Sequence, residues 1–354
     1  MEQQYRPVIG ITIGDINGIG PEVILKTFQD KKFLKYCDIV IYGSSKVLSY
    51  YKKALNIEHF DYVNIADISQ MHSKQINVIN YSNEEAPIEP GKATLVAGEI
   101  SLKCIDLALA DLKANKLDGI VTAPINKSTI KTPTKDFKGH TDYIRNYFGV
   151  NDSMMLMVDE KMRIGLCTGH IAIKDLHKFI DSKSIYNKLE ILHKSLTEDF
   201  LINKPRIAVL GLNPHAGEDG VIGKEEQDII HPAISSAKDK GILAFGTYPA
   251  DGFFGAGLYT KFDGILAMYH DQGLIPFKSF AFNTGVNYTA GLPVVRTSPD
   301  HGTAYDLVGK NIASSGSMEN AVFVALDIIK NRQSFIEMTS NPVKKSNISS
   351  DQMA

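Results

Sequence analysis

Short apolar runs rich in Val and Ile alternate along this chain with longer stretches in which apolar residues recur every three or four positions. The short runs are PVIGITI from Pro7, DIVIYG from Asp38, INVIN from Ile76, DGIVTA from Asp118 and SMMLMV from Ser153. They continue with RIGLCT from Arg163, RIAVLGL from Arg206, ILAFGTY from Ile242, DGILAMY from Asp263 and LPVVRT from Leu292. Most are nearly continuous in apolar residues, which predicts strands covered on both faces. Between them the period is helical. Pro21 takes a first-turn position and opens PEVILKTFQDKKF. Ile105, Leu109 and Leu112 share one face, as do Ile185, Leu189, Leu192 and Leu196. A helix follows Pro232 and stops at Gly241, and Val322, Leu326 and Ile329 mark a last amphipathic face. Alternating β and α predicts an α/β fold with helices on both faces of a largely parallel sheet.

The chain has 354 residues, a length that suggests two domains, and no repeat or low-complexity linker separates them. Lys and Arg number 38 against 40 Asp and Glu, for a net charge of -2, so there is no electrostatic footprint for nucleic acid. The longest charge-free stretch, Ser279 to Val295, is broken by Asn283, Gly285, Asn287, Gly291 and Pro293 and cannot span a bilayer. Cys37, Cys104 and Cys167 are too scattered for a disulfide framework or a thiolate zinc site and read as reduced core residues. The opening MEQQYRPVIGI lacks the pattern of a signal peptide, so a cytoplasmic protein without membrane contact is expected.

Ligands of open parallel sheets bind beyond the carboxyl ends of the strands. RIGLCT runs into Gly169-His170, RIAVLGL into NPHAGE with His215, and DGILAMY into His270-Asp271. Three imidazoles suit a divalent metal and leave a coordination position open; three satisfied core or loop histidines are the alternative. His177, His193 and His231 fall in helical segments and read as surface residues. PVIGITI leads into GDINGIGPE, whose helix start could hold an anion, although Gly14, Gly18 and Gly20 do not follow the GxGxxG order. GEDGVIGKEE has the wrong glycine spacing for a Walker loop. Lys127, His140 and Thr141 fall in turns after DGIVTA; with Lys278 and Arg296 they would furnish donors for phosphate or carboxylate, unless they are ordinary surface cations.

GDINGIGPE, VTAPINK, GHTDY, TGHIAI, LNPHAGEDG, GTYPADGFF, MYHDQGLIPFK and GLPVVRTSPDHGTAYD stand in the order seen in 4-hydroxythreonine-4-phosphate dehydrogenases, enzymes of pyridoxal 5'-phosphate synthesis. The resemblance runs from about Pro7 to about Ile329, with GHTD where the family usually has GHTE. It implies two α/β/α domains of the isocitrate and isopropylmalate dehydrogenase type, with the active site in the cleft between them. Those domains would be 1–137 plus 288–345 and 138–287, with 346–354 a polar tail. It implies that His170, His215 and His270 bind one divalent metal (zinc, magnesium or cobalt) in a site shared across a homodimer, His170 and His215 from one subunit and His270 from its partner. It implies that His140, Thr141, Lys278, Asn287 and Arg296 bind the phosphorylated substrate, and that Asp251 or Lys278 is the general base. The run HGTAYDLVGKN resembles the adenosine-binding loop HGSAPDIAGKG of isopropylmalate dehydrogenases, which puts NAD against His301, Gly302 and Asp306, with Tyr305 in place of the usual proline.

The implied reaction is oxidation of the C3 hydroxyl of 4-phosphooxy-threonine by NAD, followed by decarboxylation to 3-amino-2-oxopropyl phosphate. A metal ion would ease loss of the hydroxyl proton and stabilise the enolate. Three alternatives stand beside it: a related dehydrogenase of erythronate or threonate 4-phosphate, a phosphate acyltransferase on a similar fold, and a silent metabolite-binding protein.

Overall fold

The computed structural model describes residues 5–82, 86–131 and 137–340. The expected tail, 346–354, lies outside them. In chain order the elements are β1 (Val8–Thr12), α1 (Gly20–Phe28), β2 (Asp38–Gly43), α2 (Ser45–Ala54), β3 (Val63–Ile65), β4 (Ile76–Asn80), α3 (Leu95–Lys113) and β5 (Gly119–Thr122). Then come α4 (His140–Tyr147), β6 (Met154–Val158), β7 (Arg163–Leu166), α5 (Ser182–Glu198), β8 (Arg206–Leu210), α6 (His231–Asp239) and β9 (Leu243–Tyr248). The last are α7 (Ala250–Gly255), β10 (Gly264–Ala267), α8 (His270–Ala281), β11 (Val286–Ala290), β12 (Val295–Pro299) and α9 (Gly316–Ser340).

The strands form one 12-stranded sheet in the order β3-β4-β2-β1-β5-β12-β11-β6-β7-β10-β8-β9. The sheet is parallel except at β12-β11, β11-β6 and β6-β7. Those three antiparallel contacts reverse strand direction, so the carboxyl ends of β5 and β12 lie opposite those of β7, β10 and β8. Helix α8 runs back from the end of β10 to the start of β11 and so links the two sides.

The apolar runs are buried as expected: β2, β5 and β10 are buried at every position. All three cysteines are free and buried, and burial pushes the Cys37 and Cys167 thiols up to about 12, so both are inert. ILAFGTY departs from expectation. As β9 it is the sheet's edge and only partly buried. The expected boundary between 287 and 288 falls inside β11, which is bonded to β6 on one side and β12 on the other. Long-range ties cross that boundary: Arg332 on α9 donates from Nε to Asp199 Oδ1 at 2.6 Å, and Asp199 Oδ2 also accepts from Tyr288 and Ser195. Among the described residues, no helix is long and apolar enough to cross a membrane.

Candidate active site

Arg296 lies on β12 and is 2% exposed. Its guanidinium donates to Thr122 Oγ1 at the end of β5 (2.7 Å from Nη2) and to Thr289 Oγ1 on β11 (3.1 Å from Nη1). No carboxylate pairs with it among the described residues, and burial pulls its pKa down to about 9. A buried cation with only hydroxyl partners keeps charge and donors for an anion that is not part of the chain. Asn287 precedes Thr289 by two positions on β11 and so shares its face; its Oδ1 is buried without a partner.

His140 and Thr141 open α4, whose cap, Gly139, bonds none of the first-turn amides through a side chain. Lys127 packs on Gly139, whose φ of 130° is a conformation that residues with a Cβ rarely adopt, so glycine is needed there. His140 Nε2 is buried without a partner. Burial, then Arg296, then Lys127 hold that imidazole well below its usual pKa, and it is neutral at working pH. His140 and Asn287 thus add unsatisfied polar atoms around the guanidinium.

Lys278, near the end of α8, reaches Asp300 just past β12, with Nζ 3.3 Å from Oδ1. Burial raises the Asp300 carboxyl, against the pull of Lys278 and His270. His301 follows, with Nε2 buried and unpartnered. Sequence reading missed Asp300, because an Asp in a polar SPDHG loop looks like any surface turn residue.

The histidines divide unexpectedly. Past their assigned ends, β7 and β10 stay paired: Cys167 N bonds Ala267 O at 2.8 Å and Thr168 Oγ1 bonds Met268 O at 2.8 Å. This continued pairing seats His170 against His270, ring centroids 5.2 Å apart. His270 Nδ1 donates to Asp271 Oδ1 at 2.7 Å, which leaves Nε2 for a ligand. His170 is held below its usual pKa by burial, then Lys127 and His270, and so favours the neutral, ligating form.

His215 stands apart on an exposed loop where residues 215–219 are all left-handed, φ 44° to 81°. Buried Glu226 holds that loop: Oε1 accepts from Leu212 N and Asn213 N, and Oε2 from Asn213 Nδ2. Gly217 lies so close that a Cβ would sit 2.5 Å from Glu226 Oε2. Glu226 was invisible in sequence because a helix-borne glutamate normally faces solvent. Among the described residues of one chain, no group of three metal-ligating side chains forms. Where His170 with His215 was expected in one subunit, the structure brings His170 next to His270 within one chain and leaves His215 apart. The donor chemistry of that pair, one imidazole oriented by a carboxylate, fits a divalent ion that needs further ligands.

Other expected residues fall outside the cluster. Asp251 is exposed in the first turn of α7, beyond edge strand β9. In the GDINGIGPE turn, Ile19 N is taken by Thr303 O (3.0 Å) and Asn17 N by Asp15 Oδ1 (2.9 Å), so these two amides are not free for an anion. His177 and His231 are exposed as expected, whereas His193 has a buried, unpartnered Nδ1. Asp306 and Gly302 are exposed, and nothing lies within 4 Å of a Cβ built on Gly302. An open glycine next to the unpartnered Nε2 of His301, with the exposed Asp306 carboxylate four residues on, fits a nucleotide with a ribose hydroxyl.

The twelve-stranded α/β sheet has a fold of the isocitrate dehydrogenase type. The isocitrate dehydrogenase of Methylococcus capsulatus matches it with a TM-score of 0.50 at 12% identity, over 94% of this chain and 89% of that one. The chain belongs to the family of the pyridoxal phosphate biosynthetic protein PdxA, whose model matches residues 35–325. It is 49% identical to a 4-hydroxythreonine-4-phosphate dehydrogenase of Bacteroides thetaiotaomicron over 339 residues, 95% of this chain and 93% of that one. The crystal structure of the Klebsiella pneumoniae 4-hydroxythreonine-4-phosphate dehydrogenase matches with a TM-score of 0.79 at 31% identity, covering 91% of this chain and 99% of that one.

Proposed function

We propose that this protein oxidises the C3 hydroxyl of 4-hydroxythreonine 4-phosphate with NAD. The resulting β-keto acid then loses carbon dioxide to give 3-amino-2-oxopropyl phosphate, in the cytoplasm. The observation that carries this reading is the buried, carboxylate-free guanidinium of Arg296 beside His140 and Asn287, in a chain whose relatives bear that enzyme's name. Arg296, His140, Thr141 and Asn287 bind the anionic ends of the substrate and fix where C3 lies. Lys278, when its amine is neutral, can take the hydroxyl proton at Nζ, and the resulting ammonium, paired with Asp300, can return it to the enolate carbon after decarboxylation. Lys278 is favoured over Asp251 because it stands inside the cluster. His170 and His270, with His215 of a second copy, would hold a divalent ion (zinc, magnesium or cobalt) that would supply Lewis-acid polarisation. The loop of His301, Gly302 and Asp306 would hold NAD, which would supply the hydride acceptor.

The third histidine comes, in this reading, from a second copy of the chain. His215 is exposed beside Val221 and Ile222, which are 81% and 43% exposed. That loop would carry it into the His170–His270 pair of the partner, and the reverse contact would build a second site by two-fold symmetry.

The direct test is NADH formation with 4-hydroxythreonine 4-phosphate against the same compound without its phosphate. The phosphorylated compound alone should turn over, with one carbon dioxide released per NADH. Carbon dioxide release without NADH, or equal rates with both compounds, would contradict the reading. NAD should also be preferred over NADP, because the Asp306 carboxylate would accept from a ribose 2'-hydroxyl and repel a 2'-phosphate. Asp306→Ala should narrow that preference by about 10-fold or more, the scale of one charged hydrogen bond. A wild-type preference for NADP, or an unchanged preference in the variant, would refute this role.

A further inference from the structure

The loop from His301 to Asn311 is held from beneath by segments that carry none of the substrate or metal ligands described above. Ile19 N, at the start of α1, donates to Thr303 O at 3.0 Å. Gly18 lies so close that a Cβ there would sit 2.9 Å from that oxygen. Ala304 is left-handed, φ 40° and ψ 55°, and this turns Tyr305 inward. Tyr305 Oη then donates to Asp15 Oδ2 at 2.7 Å and accepts from Asn126 Nδ2 at 3.2 Å. Asp15 is 0% exposed, and no cation pairs with it among the described residues. Its other oxygen is used by Asn17 N. A buried carboxylate without a cation depends on each hydrogen bond it receives. Asp306, the next residue after Tyr305, is exposed.

We propose that the Tyr305–Asp15 hydrogen bond is a positioning device for the dinucleotide. It pins the inner side of the loop so that the neighbouring Asp306 carboxylate stands where a ribose can meet it. It replaces by a hydrogen bond the ring constraint that proline supplies at this position in the similar loop of isopropylmalate dehydrogenases. Tyr305 acts through Asp306 and touches no reacting atom. The phenol is pushed up to about 12 by burial, then by Asp15, so it stays a donor across the working range and the clasp does not switch with pH. This inference rests on the NAD reading given above.

The test is isothermal titration of NAD and, separately, of substrate into wild-type protein and Tyr305→Phe, Asp306→Ala and the double variant. Tyr305→Phe should weaken NAD binding by about 5- to 10-fold, as expected for one lost hydrogen bond. Substrate binding should hardly change, while the melting temperature should fall by a few degrees, as the loss of one hydrogen bond to buried Asp15 requires. In the Asp306→Ala background the same substitution should cost clearly less, because the contact it positions is gone. Unchanged NAD affinity in Tyr305→Phe would overturn the proposal, as would equal losses of NAD and substrate affinity or strict additivity of the two substitutions. A wild-type protein that bound no NAD would overturn the NAD reading and the clasp together, whereas wild-type binding with an indifferent Tyr305→Phe would remove the clasp alone.

Discussion

Replacing Arg296 by Met should abolish turnover and leave the free protein at least as stable as the wild type. In the free protein this guanidinium is buried with two threonine hydroxyls and, among the described residues, no carboxylate. Its pKa is pulled down to about 9, below that of the unfolded chain, so the folded state binds this proton less tightly. That penalty is present in full at every pH below about 9 and relaxes only as pH rises through it. Replacing buried ionic groups by apolar residues of similar volume is often neutral or stabilising by about 1–4 kcal/mol. Arg296→Lys keeps the charge but loses the planar fork, and kcat/KM should fall by roughly 100- to 1000-fold, the cost of one or two charged hydrogen bonds. Calorimetry settles the role. Substrate should raise the melting temperature of the wild type but not of Arg296→Met. A Met variant that melts well below the wild type would make Arg296 a structural residue.

Alanine at His170, His215 or His270 should each remove bound metal and activity, and mixtures of inactive variants should reveal how the ligands are divided. With His170 and His270 on one chain and His215 on the other, mixing His170→Ala with His215→Ala subunits yields hybrids with one intact and one doubly damaged site. Random pairing then restores roughly a quarter of wild-type activity. A mixture of His170→Ala with His270→Ala should stay dead, since each chain's own pair is broken. Recovery in that second mixture would instead support the division implied by sequence resemblance. Silence in both, after verified exchange, would place all three ligands on one chain.

What the sequence made legible follows from how each residue meets solvent. Runs such as DIVIYG and DGILAMY are apolar because both their faces are covered, and they became β2 and β10. VNYTA was passed over as a strand because Asn287 and Thr289 interrupt it, yet Thr289 accepts from the buried Arg296 guanidinium and Asn287 shares its face of β11. ILAFGTY reads as a core strand but forms the edge, since apolar content alone does not reveal whether a neighbour follows β9. His170 and His270 were visible as strand-end residues. That they meet within one chain depends on β7 and β10 being neighbours in the sheet, a fact of topology rather than of local pattern. Asp300, Glu226 and Asp15 carry the site's supporting hydrogen bonds and look in sequence like ordinary surface carboxylates. Their partners lie far along the chain, as Asp15 and Tyr305 do.

The measurement that bears most directly on the function is a substrate panel on the purified, metal-loaded protein: 4-hydroxythreonine 4-phosphate, erythronate 4-phosphate and threonate 4-phosphate, each with NAD, following NADH and carbon dioxide together. The proposed function predicts the highest kcat/KM for 4-hydroxythreonine 4-phosphate, with both products formed in equal amounts. A higher value for either sugar acid phosphate, or NADH formed without carbon dioxide, would contradict it.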